Sequence, residues 1–179
     1  MNALAKEEVG KYLNRQFVSA FQKVGTFRLV GGEKQGGNVA SYFCKPDGTV
    51  LHVVAGPVDA NTLLGEARWV VETHNMGLLE CGENLTRWKA FLRKAHVDRL
   101  SQEHGLDSKT LRWPAYNTTP ANIGPMLERL SLWKGLNQQG QVHFLLASYP
   151  NVKIEKIYAL VFEKILGEKV STLPVAKDN

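Results

Sequence analysis

The side chains able to carry chemistry in this 179-residue chain are two cysteines, five histidines, a glycine-rich stretch and one cluster of cations. Cys44 and Cys81 are too far apart for a CxxC pair and too few for a zinc cluster or a disulfide scaffold. Cys44 sits in a strand-like run whose alternation puts Ala40, Tyr42 and Cys44 on one face and Val39, Ser41 and Phe43 on the other. A free cysteine packs well in a core, so Cys44 is expected there as a free thiol, reactive only beside a cation or a helix N-terminus. Cys81 follows Glu80 in a short polar link and is expected at the surface or at a helix edge. His52, His74, His96, His104 and His143 show neither HxxxH nor HExxH, the spacings that bring two imidazoles onto one helix face as metal ligands. They are expected as surface or interface residues, with no metal or other cofactor. No GxSxG, Walker loop or GxGxxG occurs, and Gly31-Gly32-Glu33-Lys34-Gln35-Gly36-Gly37 has another spacing and opens no helix.

Residues 84–112 hold seven Lys and Arg against three acids, nearly all of the chain's +5 excess. Clustered cations can release counterions from nucleic acid. Here, however, Trp88 and Phe91 fall on the apolar stripe and not among the charges, and +5 is modest for this length. The cations therefore read as a solvated helix face, and nucleic-acid binding is not expected.

The elements that must position these groups follow from periodicity. Ala5, Val9, Tyr12 and Leu13 repeat at helical spacing behind a candidate cap at Asn2, which predicts a helix over 3–14. Phe17 to Val24, rich in β-branched and aromatic residues, predicts a strand. Gly25 to Asn38, with five glycines, predicts a mobile loop. The runs 39–44 and 49–54 flank Lys45-Pro46-Asp47-Gly48, where proline presets one corner and glycine accepts a positive φ, which predicts a β-hairpin. Asp59 can cap a helix with Leu63, Ala67, Val70, Val71 and His74 on one face, ended by Asn75 and Gly77. Beyond Gly77 the periodicity is helical. Leu85, Trp88, Phe91, Leu92, Ala95 and Leu100 predict an amphipathic helix over 84–104. Residues 107–120 read as irregular, Ile123–Lys134 as a short helix, and Val142–Ala147 as either helix or strand. Ile154, Ile157, Tyr158, Val161, Phe162 and Ile165 form one buried stripe ended by Gly167.

The order helix, strand, loop, hairpin, helix over residues 3–75 resembles the thioredoxin-like fold without its first strand. Val9-Gly10-Lys11-Tyr12-Leu13-Asn14-Arg15-Gln16-Phe17-Val18 resembles that family's helix end, asparagine and Phe-Val strand. Phe43-Cys44-Lys45-Pro46-Asp47-Gly48-Thr49-Val50, followed by Ala55-Gly56, resembles its final hairpin and the glycine before its last helix. The resemblance implies an α/β protein, an incomplete thioredoxin-like domain over 1–77 with an all-helical extension over 78–179 packed on it. In redox-active members a CxxC opens the first helix, whose N-terminus lowers the thiol pKa, and a cis-proline opens the first hairpin strand. No CxxC lies near Met1, and Val39 stands at the proline's position. The resemblance thus implies a protein that is not an enzyme and acts through protein–protein contacts, with Gly36, Gly37, Asn38 and Val39 at the lip of its groove. The alternative is a thiol–disulfide oxidoreductase whose CxxC lies upstream of Met1. The missing first strand leaves an unpaired sheet edge. An upstream segment, an inserted Gln141–Ser148 or a rearranged sheet would fill it, and an open edge would also pair copies of the chain.

Composition sets the outer bounds. With 44% hydrophobic and 22% charged residues the chain is of the folded, globular class, long enough for one domain or one domain with an extension. Apolar runs such as Val53-Val54-Ala55 fall far below the ~18–20 residues that cross a bilayer. Met1-Asn2-Ala3 leads straight to Lys6, Glu7 and Glu8, so neither a secretory leader nor a membrane partner is expected.

Overall fold

A computed structural model describes residues 3–24, 28–30, 33–35, 38–107, 111–116, 131–171 and 176–177. In chain order its elements are a 3₁₀ turn at Ala3–Ala5, α1 (Glu7–Gln16), β1 (Arg28–Val30), β2 (Glu33–Gln35), β3 (Ala40–Cys44) and β4 (Val50–Ala55). There follow α2 (Ala60–Cys81), α3 (Leu85–His104), α4 (Ser131–Gly135), α5 (Gln138–Ser148), α6 (Ile154–Leu160), a π turn at Val161–Ile165 and β5 (Ala176–Lys177). The protein is mixed α/β. None of the described helices is long and apolar enough to cross a membrane.

The hairpin forms as its turn residues dictate. Gly48 takes φ +80° and donates its N–H to the Lys45 carbonyl at 2.9 Å, while the Asp47 carboxylate accepts the Thr49 N–H at 3.0 Å. β3 and β4 then pair antiparallel, with Ala40 opposite Ala55 and Phe43 opposite His52. Lys153 clamps the turn from outside, its ammonium 2.7 Å from the Asp47 carbonyl and 2.8 Å from the Asp47 carboxylate. Three helices, α2, α3 and α5, start on side-chain caps: Asp59 accepts the Thr62 N–H, Asn84 that of Arg87 and Asn137 that of Gly140, all at 2.8–3.0 Å.

Two hydrophobic clusters form against this hairpin. In one, Phe43, Leu51 and Val54 meet Val9 and Leu13 of α1, Leu63, Leu64, Ala67 and Val70 of α2, and Trp88 and Leu92 of α3. In the other, Val50, Val53 and Ala55 meet Leu100 of α3, Val142, Leu145 and Leu146 of α5, Ile157 of α6 and the π-turn residues Val161, Phe162 and Ile165. Each such side chain gains roughly 1.5–3 kcal/mol from burial.

Several expectations are corrected. Phe17–Val24 is not a strand and has no regular secondary structure. Phe17 anchors one end, its ring 5.2 Å from that of Phe43, and Val24, whose carbonyl accepts the Ser171 N–H at 2.9 Å, the other, while Val18 and Phe21 between them are 99% and 91% exposed. Strand propensity expresses itself only against a partner edge. Inside the expected loop, β1 and β2 pair antiparallel, and β1 also pairs parallel with β5. That pairing, with the isolated bridge between Thr49 and Lys153, means the C-terminal part is not all-helical. Gly36 and Gly37 lie outside the described residues. α1 starts at Glu7 behind Lys6, which makes no side-chain cap bond; Asn2 lies outside the described residues. α2 runs through Asn75 and Gly77 to Cys81, because Gly77 serves packing and not termination: a Cβ there would meet the Trp88 ring at 2.4 Å. Leu85, expected on the buried stripe, is 54% exposed. Val142–Ala147 lies within α5, so Gln141–Ser148 does not enter the sheet as a strand. Of the helix expected over 123–134, the described part is α4, and 123–130 lie outside the described residues. Among the described residues no strand pairs with the outer edge of β3.

Candidate functional site: a buried histidine cluster

Three of the five histidines converge in the interior. His52 comes from β4, His96 from α3 and His143 from α5, with exposures of 0%, 2% and 0%. One ring nitrogen of each lies within 4.8 Å of those of the other two. The His52 and His143 rings stack with centroids 4.9 Å apart, and Trp69 of α2 closes over His52 edge-on at 5.0 Å. The expectation of surface histidines is overturned for these three. Helical spacing motifs see two ligands on one helix, whereas here a strand and two helices supply one each.

The hydrogen bonds assign the protons. The Leu51 carbonyl, 3.0 Å from His96 Nε2, can only accept, so Nε2 carries the hydrogen and His96 Nδ1 a lone pair. His143 Nδ1, 2.9 Å away, therefore donates to it. His52 Nε2 lies 2.9 Å from the Glu66 carboxylate and 3.2 Å from the Gln139 amide nitrogen. The Gln139 nitrogen already donates to the Val53 carbonyl at 2.9 Å, which fixes the amide's orientation. His52 Nε2 cannot both donate to one neighbour and accept from the other, and the shorter bond to an anion prevails. Two lone pairs are left over: His52 Nδ1 and His143 Nε2 are buried without a hydrogen-bond partner among the described residues. Each such orphan costs about 1–3 kcal/mol.

Electrostatics agree with neutral rings around one anion. Burial depresses the pKa of all three histidines, that of His96 to about 3. Burial pushes Glu66 up, but hydrogen bonds from His52 and Arg99 outweigh it and hold the carboxyl at about 2. Arg99 grips Glu66 with two parallel bonds of 2.8 Å, and its Nε donates to Glu103 at 2.5 Å. The same guanidinium lies 4.8 Å from the Trp69 ring centre.

The residues singled out from sequence lie elsewhere. Cys44 is half-buried, not fully packed, and burial followed by the Asp47 charge pushes its thiol up to about 11. Cys81, expected at the surface or at a helix edge, is the last residue of α2 and is buried. Asn38 and Val39 are exposed at the start of β3. The Asn38 side chain donates to the Leu166 carbonyl at 3.2 Å, and its backbone N–H donates to the Glu168 carboxylate. The cations expected on a solvated face are partly committed inside. Arg93 donates to the Ala147 and Pro114 carbonyls at 2.9 and 2.8 Å, and Arg99 serves Glu66. A surface feature absent from the sequence reading is an apolar knuckle where α2 turns into α3. There Met76, Leu78, Leu79 and Leu85 are 50–88% exposed, and Leu78 and Leu85 line a shallow cleft with Trp88 and Lys45.

No family model matches the chain, and neither curated proteins nor solved structures give a match.

Proposed function

We propose that the chain is a non-catalytic protein, thioredoxin-like over residues 3–75, that acts through contacts with a protein partner. The observation that carries this reading is the apolar knuckle, with Leu79 88% exposed and Met76, Leu78 and Leu85 around it. Single exposed aliphatic side chains are ordinary, but several gathered at one turn and rimmed by Lys45, Glu80 and Glu83 have the make-up of a contact site. The order α1, hairpin, α2 supports the thioredoxin-like part. The outer edge of β3 supports a second mode of contact, strand addition, through which copies of the chain would pair.

A photo-crosslinking residue at position 79 tests the reading. The expected result is one predominant protein adduct, identified by mass spectrometry, whose purified partner binds the wild-type chain at least tenfold more tightly than Leu79→Asp. Equal binding by the two chains overturns it. The alternative, a thiol–disulfide oxidoreductase with its CxxC upstream of Met1, draws no support from Cys44, which is held protonated near neutral pH. That alternative requires insulin reduction to appear once an upstream CxxC segment is attached.

A further inference from the structure

We propose that His52, His96 and His143 bind one divalent transition-metal ion, zinc being the cation their chemistry fits, and that the ion ties β4, α3 and α5 together. Neutral imidazole nitrogens suit zinc and its neighbours in the first transition row. Ligating histidines characteristically have the far ring nitrogen held by a carboxylate or a carbonyl, which fixes the tautomer and aims the near nitrogen. Two members of the cluster already have such a partner: Glu66 holds His52 Nε2 at 2.9 Å, and the Leu51 carbonyl holds His96 Nε2 at 3.0 Å. Both rings are left with a lone pair on Nδ1.

The geometry is close to what an ion requires. Two nitrogens held at ~2.0–2.1 Å by a tetrahedral ion stand ~3.3 Å apart. His96 Nδ1 and His143 Nδ1 are 2.9 Å apart, and His143 would ligate through Nδ1 with its proton moved to Nε2; a pair at the 4.8 Å limit of the cluster would have to close by roughly 1.5 Å. An independent observation points the same way: His52 Nδ1 is a buried lone pair with no hydrogen-bond partner among the described residues. A hydrogen-bonded core network would pair it, and a cation needs it free. Glu66 supplies a nearby counter-charge, with Glu103 balancing Arg99 on its far side.

The full chain, stripped with a chelator, is titrated with Co²⁺ and Zn²⁺. The expected result is one equivalent per chain, with visible cobalt bands bleached by Zn²⁺, and a rise in Tm on adding zinc. His143→Gln and His96→Gln should each weaken binding about 100-fold or more, and Glu66→Gln, which removes only the outer partner, about 10–100-fold. His74→Gln, outside the cluster, should bind as the wild type does. Circular dichroism checks that the variants fold. Should the histidine variants fail to fold, the wild-type titration decides alone: absence of the cobalt bands or of stoichiometric uptake overturns the proposal and leaves a hydrogen-bonded network only. Binding that persists undiminished in a folded His143→Gln overturns it equally.

Discussion

A cysteine reacts as its thiolate, and Cys44 is held away from that form by burial and by the Asp47 charge, its pKa pushed from 9.0 to about 11. A raised pKa lowers the thiolate fraction at any given pH, by about 100-fold for two units. Alkylation of Cys44 by iodoacetamide at pH 8 is therefore expected to run about 100-fold slower than that of an ordinary thiol. Its rate should go on climbing with pH beyond 9; a plateau near pH 9, followed by mass spectrometry, would show that burial does not control the thiol. At the same scale, Arg99 and Glu66 form a bidentate pair with only 14% and 11% of their side chains exposed. Truncating one partner strands the other's charge, so Arg99→Met is expected to cost about 3 kcal/mol. An unchanged midpoint in urea unfolding would show the pair to be solvated instead. Tautomers at this scale were out of reach of the sequence, because they depend on the Leu51 carbonyl and the Glu66 carboxylate, which are neighbours only in space.

At the scale of elements, two glycines play opposite roles that look alike in sequence. Gly48 stands at φ +80° in the turn between β3 and β4, where a β-branched side chain is strained. Gly48→Val should therefore cost about 1–3 kcal/mol, read as a lower urea midpoint at unchanged slope; equal midpoints would mean that the turn tolerates a side chain. Gly77 lies inside α2 with the Trp88 ring against it, and an added Cβ would sit 2.4 Å from that ring. Gly77→Ala, favourable for an isolated helix, is expected here to destabilise by about 1–3 kcal/mol through overpacking. A tryptophan fluorescence change should accompany it; a more stable variant would show that α2 and α3 separate readily. Propensity alone makes Gly77 a helix stop. The ring that explains it lies eleven residues further on, across a turn.

For the whole molecule, the question is whether residues 1–77 stand apart from the rest. Val50, Val53 and Ala55 share one buried cluster with Leu145, Ile157 and Val161, and Trp88 and Leu92 complete the other. Removing everything after residue 77 would expose both clusters, at roughly 1.5–3 kcal/mol for each large side chain, against a typical domain stability of about 5–15 kcal/mol. Limited proteolysis is accordingly expected to nick the exposed, irregular residues 18–22 without releasing a folded 1–77 piece. Recovery of such a piece with cooperative unfolding would show the two parts to be independent.

What the sequence determined by itself was local. Pro46, Asp47 and Gly48 specified the hairpin, Asp59 and Asn84 opened their helices, and the stripe from Ile154 to Ile165 marked its buried face, because turns, caps and periodicity act over a few residues. Phe17–Val24 had the composition of a strand but found no partner edge among the described residues, and pairing is a property of two segments. The histidine cluster was decided by tertiary structure alone. His52, His96 and His143 are separated by more than forty residues each, and only the packing of α3 and α5 against each other and of α5 on β4 brings their nitrogens within reach of one ion.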